Sequence, residues 1–558
     1  MKKVSKFQNK NSVDLIHLIL ILRSDLIKLF GFDTCISSDK FLAWLINTGV
    51  KEYCTLGESL QFKNLLNQQD SQLGLTRLQA AIYRCRPDVQ QGIELPKDRD
   101  QFINWFYTHG IGEHNLLQIL STEDQFFALQ AAKKACSPWL HKLGEQFTQL
   151  HYVDTLQLQP HPFGVNLIGY AFGQLGIGED LRMTARALKA ADIPFAIINF
   201  SPGKDIPQND LSFRKWVLPE KQIGPYAINL FCMTALETGR FYAERGGTQF
   251  SGRYSIGYWP WELSKWPESW NLTHPLVDEV WVSTNHIQAA LQPAFAGPIQ
   301  VMPLVVTPEK GSGQLRKSVQ RVATRLSFRL PLKARLFCFA FDLNSSIHRK
   351  NPQACIEAFL RAFPPGELTR DQVGLVIKTH IPKKGHREWE KLKSLAAIDD
   401  RIHIIEGTLP RSDLMALYAG CDVFVSLHRA EGFGRGIAEA LQLGLHVIAT
   451  DYSGNTDYCH LPEFSKQISL IPFRLVKVRA GQYPYAAAQL WASPNVNAAA
   501  QAMRTCQQAK SMSYQVPRGG WPCFSAKVLG KLYGQRLQNI FTNFSLNALS
   551  TSDTTKCI

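Results

Sequence analysis

Two glutamates eight positions apart, Glu431 and Glu439, flank the glycine-rich residues 432–436. Glycines at a strand-to-helix turn leave backbone N–H groups unpaired and aligned with the positive end of the helix dipole, an arrangement that suits phosphate or sugar oxygens. The neighbours in sequence are Arg429 and Arg435, with no aspartate cluster beside them. We therefore interpret the two carboxylates as acceptors for ligand hydroxyl groups and not as metal ligands.

Basic residues follow two other apolar runs. Arg349 and Lys350 come after the run 335–341, and Lys378 ends the run that starts at 373. If both runs are parallel strands, these cations converge at the carboxyl edge of the sheet, where such sheets bind ligands. Cations at that edge could stabilise negative charge that develops on a departing phosphate. The alternative is an exposed basic helix start, although cations there oppose the helix dipole.

The elements around the glutamate pair can be predicted from periodicity. Residues 422–427 form an apolar, β-branched and aromatic run typical of a buried strand, and residues 437–443 have a helical pattern. If the helix begins near Phe433, Glu439 lies on its second turn and Glu431 on the preceding loop. Each carboxylate can then reach a different part of one elongated polyhydroxylated ligand. The alternative is that neither glutamate binds a ligand, Glu431 being an ordinary loop residue and Glu439 a solvent-facing helix residue.

Strands and helices alternate from about residue 160, which predicts parallel sheets covered by helices. A first strand candidate at 164–170 precedes Gly176 and Gly178 and a helix at 180–190, and a second series begins at 335. The predicted fold class is α/β, with two Rossmann-like domains facing a cleft and an all-α region before them. We place the basic segment 308–325 near the join of the two domains.

The first 150 residues contain a repeat. Residues 39–44 with 48–52 return as residues 100–105 with 109–113. Each copy starts with an aspartate, presents aromatic residues at helical spacing and is expected to stop at a glycine. We predict a duplicated helical unit whose aromatic residues form its core, acting as an accessory or partner-binding module.

Charge and cysteine usage restrict the partners and the compartment. The chain has 61 basic and 46 acidic residues, a net charge of +15. This favours anionic partners such as nucleotide diphosphates or an anionic membrane face, or else only aids solubility. A basic motif interleaved with aromatic residues is lacking, so nucleic-acid binding is not predicted. The twelve cysteines form no Cys-x-x-Cys pair, which predicts free thiols in a reducing cytosol.

Residues 15–22 are apolar but bracketed by Asp14 and Arg23. They are far shorter than the ~20 residues that a membrane span needs. A packed helix is the favoured interpretation, with membrane-surface association as the alternative. We accordingly expect a cytoplasmic protein, with peripheral attachment to the inner membrane face left open.

The glutamate pair, in this setting, resembles the motif of family 4 (group 1) retaining glycosyltransferases. These enzymes have the GT-B fold and use nucleotide-diphosphate sugars. The resemblance covers roughly residues 160–540 and is most specific at 431–455. It implies that Glu431 contacts hydroxyls of the donor sugar, Glu439 the ribose, and Lys350 the leaving diphosphate. Arg349 is a substitute candidate for the second cation, because residues 341–342 stand where relatives often have glycine and arginine.

On this resemblance the predicted units are residues 1–155, a helical accessory region with the internal repeat; 156–330, an acceptor domain; 331–510, a nucleotide-sugar domain; and 511–558, a crossing helix and tail. The predicted catalytic residues are Lys350, Glu431, Arg349 and Lys378, of which Lys378 rests on geometry alone. The predicted donor-binding residues are Gly176, Gly178, Thr408, Leu409, Gly432, Phe433, Gly434 and Glu439. Thr408 and Leu409 lie in one loop, for which the alternative interpretation is a plain connecting turn.

The acceptor side departs from the family pattern. Many relatives carry a histidine in this region, whereas this chain has an aromatic run ending in Trp261 and Glu262. Aromatic faces beside a carboxylate suit a sugar, and a structural tryptophan cluster is the open alternative.

The predicted activity is transfer of a sugar from a nucleotide-diphosphate sugar to a glycan or lipid-linked acceptor hydroxyl, with retention of configuration. The donor is a co-substrate, and neither a metal nor another cofactor is expected, because lysine and arginine neutralise the charge. The competing hypothesis is a nucleotide-sugar or glycan-binding scaffold without turnover, which recruits protein partners through its helical repeat.

Overall fold

The computed structural model describes residues 13–31, 38–135, 139, 161–203, 206–307, 314–380, 385–510 and 514–553. A helical N-terminal region precedes two parallel six-stranded sheets on which helices pack. The predicted fold class, two Rossmann-like domains facing a cleft (GT-B) after a helical region, is confirmed. The N-terminal region also contains a short antiparallel hairpin whose strands have two residues each, β1 (Gln69–Asp70) and β2 (Leu75–Thr76).

The helices of the N-terminal region are short. They are α1 (Leu15–Leu22), α2 (Ser24–Phe30), α3 (Asp39–Trp44), α4 (Val50–Glu52), α5 (Thr55–Glu58), α6 (Leu60–Asn67), α7 (Arg77–Arg84), α8 (Pro87–Gly92), α9 (Arg99–Trp105), α10 (Ile111–His114) and α11 (Thr122–Lys134).

The predicted repeat is a duplication in the structure as well. In both copies a π-helical turn, Leu45–Gly49 or Phe106–Gly110, joins two α-helices. The expectation that each helix stops at its glycine is wrong: Gly49 and Gly110 both have a φ of −56°, which is right-handed helical, and the chain continues into α4 and α10. In each copy an arginine lies over a tryptophan and pairs with a glutamate, as Arg23, Trp44 and Glu52 do in the first and Arg86, Trp105 and Glu113 in the second.

The N-terminal region shares a hydrophobic core with the first α/β domain. The Thr55 hydroxyl donates a hydrogen bond to the carbonyl of Tyr242 at 2.6 Å. Leu18 packs so closely on Gly239 that a methyl group added there would lie 2.9 Å from it. Helix α1 is largely buried, in agreement with the packed-helix interpretation of residues 15–22. Among the described residues, no helix combines the length and apolarity needed to cross a membrane.

The first sheet has the parallel strand order β4-β3-β5-β6-β7-β8. Its strands are β3 (Val165–Gly169), β4 (Phe195–Asn199), β5 (Ile228–Cys232), β6 (Tyr254–Tyr258), β7 (Glu279–Val282) and β8 (Ile299–Val301). Its helices are α12 (Gly176–Ala190), α13 (Ala235–Arg245) and α14 (Asn285–Leu291). The strand order reverses between β3 and β5, so the glycine loop after β3 lies at the switch point where open α/β sheets bind ligands.

The second sheet has the order β11-β10-β9-β12-β13-β14, also parallel. Its strands are β9 (Arg335–Phe341), β10 (Val373–Thr379), β11 (Ile402–Glu406), β12 (Val423–Ser426), β13 (His446–Thr450) and β14 (Ile468–Ile471), followed by the antiparallel ribbon β15 (Phe473–Lys477) and β16 (Leu490–Pro494). The helices are α15 (Gln314–Ser327), α16 (Ile347–Lys350), α17 (Pro352–Ala362), α18 (Arg387–Ala396), α19 (Arg411–Gly420), α20 (Arg435–Gln442), α21 (Thr456–Cys459), α22 (Val496–Gln508) and α23 (Ala526–Asp553). The switch point lies between β9 and β12.

Two segments connect the α/β domains, and one of them departs from the predicted domain boundary. Helix α15, which the predicted boundary at 330 assigns to the first α/β domain, packs on the second: Arg325 donates to the carbonyl of Gly420 at 2.7 Å and pairs with Asp422 at 3.1 Å. The rest of the predicted join, residues 308–313, lies outside the described residues. Helix α23 crosses back and packs on α12, where a methyl group on Gly530 would lie 2.3 Å from the carbonyl of Ala187.

Candidate active site

The loop that carries Glu431 joins β12 to α20 at the switch point of the second sheet. Gly434 precedes the helix with a φ of +82°, a left-handed conformation that glycine adopts without strain. Helix α20 therefore begins at Arg435, two residues later than predicted, and Glu439 still lies on its second turn.

The backbone of Glu431 is fixed by the turn that follows β13. Its N–H donates to the Ser453 hydroxyl at 2.8 Å, and the Gly454 N–H donates to its carbonyl at 2.9 Å. A methyl group on Gly454 would lie 1.9 Å from the carbonyl oxygen of Gly432. The sequence indicated a turn here but gave these residues no role in the site.

The Glu431 carboxylate lies between two cations. Its Oε1 is 2.5 Å from Nζ of Lys350, and its Oε2 is 3.2 Å from Nη1 of Arg349. Burial alone would raise the pKa of Glu431, but the charges of Lys350 and Arg349 lower it to about 2. The carboxylate is thus ionised at neutral pH although only 7% of the residue is exposed. Burial lowers the pKa of Lys350, and Glu431 opposes that effect.

Arg349 links the second domain to the first. Its guanidinium donates to the carbonyl of Ala430 at 2.8 Å and lies 3.8 Å from the carboxylate of Glu262, which belongs to the first domain. The ring of Tyr483 lies 5.7 Å beneath it, and the Tyr483 hydroxyl donates to Glu262 at 2.8 Å. Tyr483 lies in the loop between β15 and β16. Because it is far from Arg349 in sequence, no local pattern could predict this contact.

The two predicted acceptor-side residues have different surroundings. Trp261 is 3% exposed, donates its indole N–H to the carbonyl of Lys265, and packs against Trp266 and Trp270. This favours the structural tryptophan cluster, and the acceptor role of Trp261 stays a prediction. The Glu262 carboxylate, in contrast, lies 3.8 Å from the guanidinium of Arg349, which also contacts Glu431.

Lys378 is the last residue but one of strand β10, pairs with Ala340 of β9 and is 4% exposed. Burial lowers the pKa of its ammonium to about 8, and the charge of Asp342 opposes the shift. In the described ranges no ion pair of Lys378 lies within 4 Å. The structure therefore does not bring Lys378 into the ion-pair cluster formed by Lys350, Arg349 and Glu431, and its catalytic role stays a prediction.

Glu439 pairs with Arg411, the first residue of α19, at 2.8 Å. The same guanidinium lies 3.0 Å from Glu179 on α12 of the first domain. Sequence reasoning missed Arg411, although a basic residue at a predicted helix start is the same signal that singled out Arg349 and Lys350. In the loop between β11 and α19, just before Arg411, the Thr408 hydroxyl lies 3.0 Å from Nδ1 of His380, and Leu409 is half-buried beside it.

The predicted glycines divide into open and packed positions. Gly176 has open space where a side chain would be, so a ligand can approach its backbone, whereas a methyl group on Gly178 would lie 2.5 Å from the carbonyl of Gly173. Gly432 lies against the first domain, since Thr284 donates to its carbonyl at 2.7 Å. The Phe433 ring packs on Tyr458, which leaves only its backbone for a ligand.

In the described part of the chain, no group of three or more His, Cys, Asp or Glu residues is arranged to hold a metal ion. The expectation of metal-free chemistry remains a prediction.

One protein-family model matches part of the chain. Residues 342–461 match the model of "Glycosyl transferases group 1", a stretch that runs from the loop after β9 to α21 and includes the loops after both β9 and β12 at the switch point. No curated protein matches the chain significantly. The family match and the two-sheet architecture support a glycosyltransferase of the group 1 type.

Solved structures with a similar fold are distant. Anabaena HepE in complex with UDP and glucose is 15% identical, with 70% of this chain and 100% of that chain covered and a TM-score of 0.42. Sucrose-phosphate synthase from Thermosynechococcus elongatus is 16% identical, with 70% and 99% covered and a TM-score of 0.42. A glycosyltransferase from Rickettsia africae is 14% identical, with 70% and 97% covered and a TM-score of 0.44. Similarities at this level assign no substrate.

Proposed function

We propose that this protein is a retaining glycosyltransferase that moves a sugar from a nucleotide-diphosphate sugar to an acceptor hydroxyl. The observation that carries the proposal is the Glu431 carboxylate, fixed through its backbone and held between Lys350 and Arg349 at the switch point of the second sheet. The bond broken in such a donor joins a sugar to a phosphate. The carboxylate can accept hydrogen bonds from sugar hydroxyls on one side of that bond, and the cations beside it can neutralise the phosphate on the other side.

The charges within the cluster suggest how a donor would be accommodated. Glu431 and Glu262 balance Lys350 and Arg349 when no ligand is bound. A sugar hydroxyl that donates to Glu431 would compete with the 2.5 Å contact to Lys350 and free the ammonium for the diphosphate. As the glycosidic bond breaks, negative charge grows on the leaving phosphate, and Lys350 and Arg349 stabilise it.

Retention of configuration is the finer part of the proposal. We propose front-face transfer, in which the departing phosphate helps to deprotonate the acceptor hydroxyl as the hydroxyl oxygen bonds to the sugar carbon. We further propose a glycan or lipid-linked acceptor and a protein-binding role for the N-terminal repeat. For the location we propose the cytoplasm, with peripheral attachment at the inner membrane face left open.

The proposal is tested with the full chain and a panel of nucleoside diphosphates and their sugars. A thermal-shift screen identifies the donor, because a ligand that binds the folded state raises its apparent stability. Transfer is then followed with that donor and a panel of hydroxyl acceptors, and NMR of the product shows its anomeric configuration. Donor-dependent transfer with retention supports the proposal, and an inverted product refutes the retaining mechanism.

Saturable donor binding with neither transfer nor hydrolysis would instead support the scaffold without turnover. A matched control for this screen is Glu367→Gln, because Glu367 is exposed and lies outside the site. Its donor-induced shift should equal that of the wild type, whereas Glu431→Gln should lose most of it.

A further inference from the structure

Arg411 bridges two buried carboxylates that belong to different domains. Its Nη1 donates to Oε1 of Glu439 at 2.8 Å, and its Nε lies 3.0 Å from Oε1 of Glu179. The side chains of Glu439 and Glu179 are only 5% and 8% exposed, and that of Arg411 is 21% exposed. Ion pairs at this depth are screened little by solvent.

The Glu179 carboxylate is connected in turn to the first-domain glycine loop. Arg182 donates to Oε2 of Glu179 at 3.0 Å. A second nitrogen of the Arg182 guanidinium donates to the carbonyls of Ala171 and Gly173, at 3.1 and 3.0 Å. The position of the loop after β3 is therefore tied, through buried charged groups, to the position of Arg411.

The placement of Arg411 is costly without these partners. It is the first residue of α19, where a positive charge opposes the helix dipole. Arg435, the first residue of α20, repeats this arrangement and pairs with Asp180, the neighbour of Glu179. Two arginines at helix starts of the second domain thus meet two adjacent acids at the start of α12. This pattern indicates a constructed contact between the domains and not a chance surface pair.

We propose that Arg411 is a positioning residue that couples occupation of the donor site to the first-domain glycine loop. The inference rests on the proposed function, in which Glu439 accepts hydrogen bonds from hydroxyls of a nucleotide-diphosphate donor. Arg411 occupies Oε1 of Glu439, which orients the carboxylate and leaves Oε2 for the ligand. The same guanidinium holds Glu179, so a donor that bonds to Glu439 fixes the loop at residues 171–176 of the opposite domain through Arg411, Glu179 and Arg182.

The test is a double-mutant cycle read out as nucleoside diphosphate affinity. UDP, GDP and ADP are titrated calorimetrically against the wild type, and the tightest of them against Arg411→Gln, Glu179→Gln and the double variant. Each single change should weaken binding about tenfold, the usual size of one lost charge-assisted contact, and the double variant should be no weaker than either single variant. Arg370→Gln, at an exposed position, should bind as the wild type does.

A second readout separates coupling from a general loss of structure. Nucleotide should slow amide hydrogen exchange at residues 171–176 in the wild type and in Arg370→Gln, but not in a folded Arg411→Gln. If Arg411→Gln does not fold, Arg411→Lys is used, since a lysine keeps the charge but has no fork with which to hold two carboxylates.

Unchanged affinity in Glu179→Gln, or additive losses in the double variant, would overturn the coupling and leave the proposed function intact. Failure of the wild type to bind any of the three nucleotides would overturn both.

Discussion

Replacing Lys378 by methionine should stabilise the protein at pH 7 and lower its turnover. Lys378 is 4% exposed, and burial lowers the pKa of its ammonium from 10.5 to about 8 against the opposing charge of Asp342. Each pKa unit corresponds to about 1.4 kcal/mol, so the buried charge costs roughly 3 kcal/mol of folding free energy at pH 7. Methionine fills a similar volume without the charge, and the turnover of the variant tests the catalytic role predicted for Lys378.

The pH dependence follows from the direction of the shift. The folded-state pKa of about 8 lies below the unfolded value of 10.5, so both states carry the proton below pH 8 and the full cost is present there. Between these two values only the unfolded chain is protonated, and the stability of the wild type rises with pH. The advantage of Lys378→Met should therefore shrink to about 1 kcal/mol at pH 10.

The assay is urea unfolding of the wild type and Lys378→Met at pH 7 and pH 10, with exposed Lys466→Met as the control. Lys466→Met should show no gain at either pH. A Lys378→Met variant that is less stable than the wild type at pH 7, or whose advantage does not change with pH, would refute the assignment of a buried, weakly compensated lysine.

Three further changes test other contacts. Glu431→Gln should remove an acid-sensitive contribution: the folded-state pKa of about 2 lies below the unfolded 4.5, so this stability is present above pH 4.5 and is lost as the pH falls towards 2; acid titration of unfolding should be flatter in the variant than in Glu367→Gln. Gly454→Ala should reduce both stability and turnover, because its methyl group would lie 1.9 Å from the Gly432 carbonyl. The control is Gly92→Ala, which has open space around it and should change neither the melting temperature nor the turnover. Gly176→Ala should leave the melting temperature unchanged, since nothing lies within 4 Å, yet weaken donor binding measured by calorimetry; unchanged binding would remove Gly176 from the donor site.

Periodicity and glycine placement were sufficient to predict the two sheets and the switch-point loops. Apolar runs such as 335–341 and 422–427 can only be buried strands in a chain that alternates so regularly, and both correspond to parallel strands of one sheet. The repeat at 39–52 and 100–113 was also visible in the sequence. The continuation of the helices beyond Gly49 and Gly110 was not, because tertiary packing can hold a glycine in right-handed helical conformation despite its low propensity.

Contacts between elements far apart in sequence could not be predicted from local patterns. Tyr483 stacks under Arg349, and Arg411 joins Glu439 to Glu179 across the cleft. The contact of Arg411 with Glu179 depends on how the two domains are oriented, and the contact of Tyr483 with Arg349 depends on how the loop between β15 and β16 folds back within the second domain. Periodicity encodes neither. Trp261 illustrates the same limit. An aromatic run beside a carboxylate looks the same in the sequence whether the rings line a sugar-binding pocket or, as Trp261 does in the structure, pack in a core.

The measurement that tests the central claim most directly is the rate of sugar transfer by Lys350→Met, with the donor identified by thermal shift. Lys350 contacts Glu431 at 2.5 Å and is the cation assigned to the leaving phosphate. Removing it should lower kcat by about 100-fold or more, as expected for loss of one group that stabilises transition-state charge, while Lys466→Met keeps the wild-type rate. Wild-type turnover in a folded Lys350→Met variant would contradict the assignment of this site as the donor site.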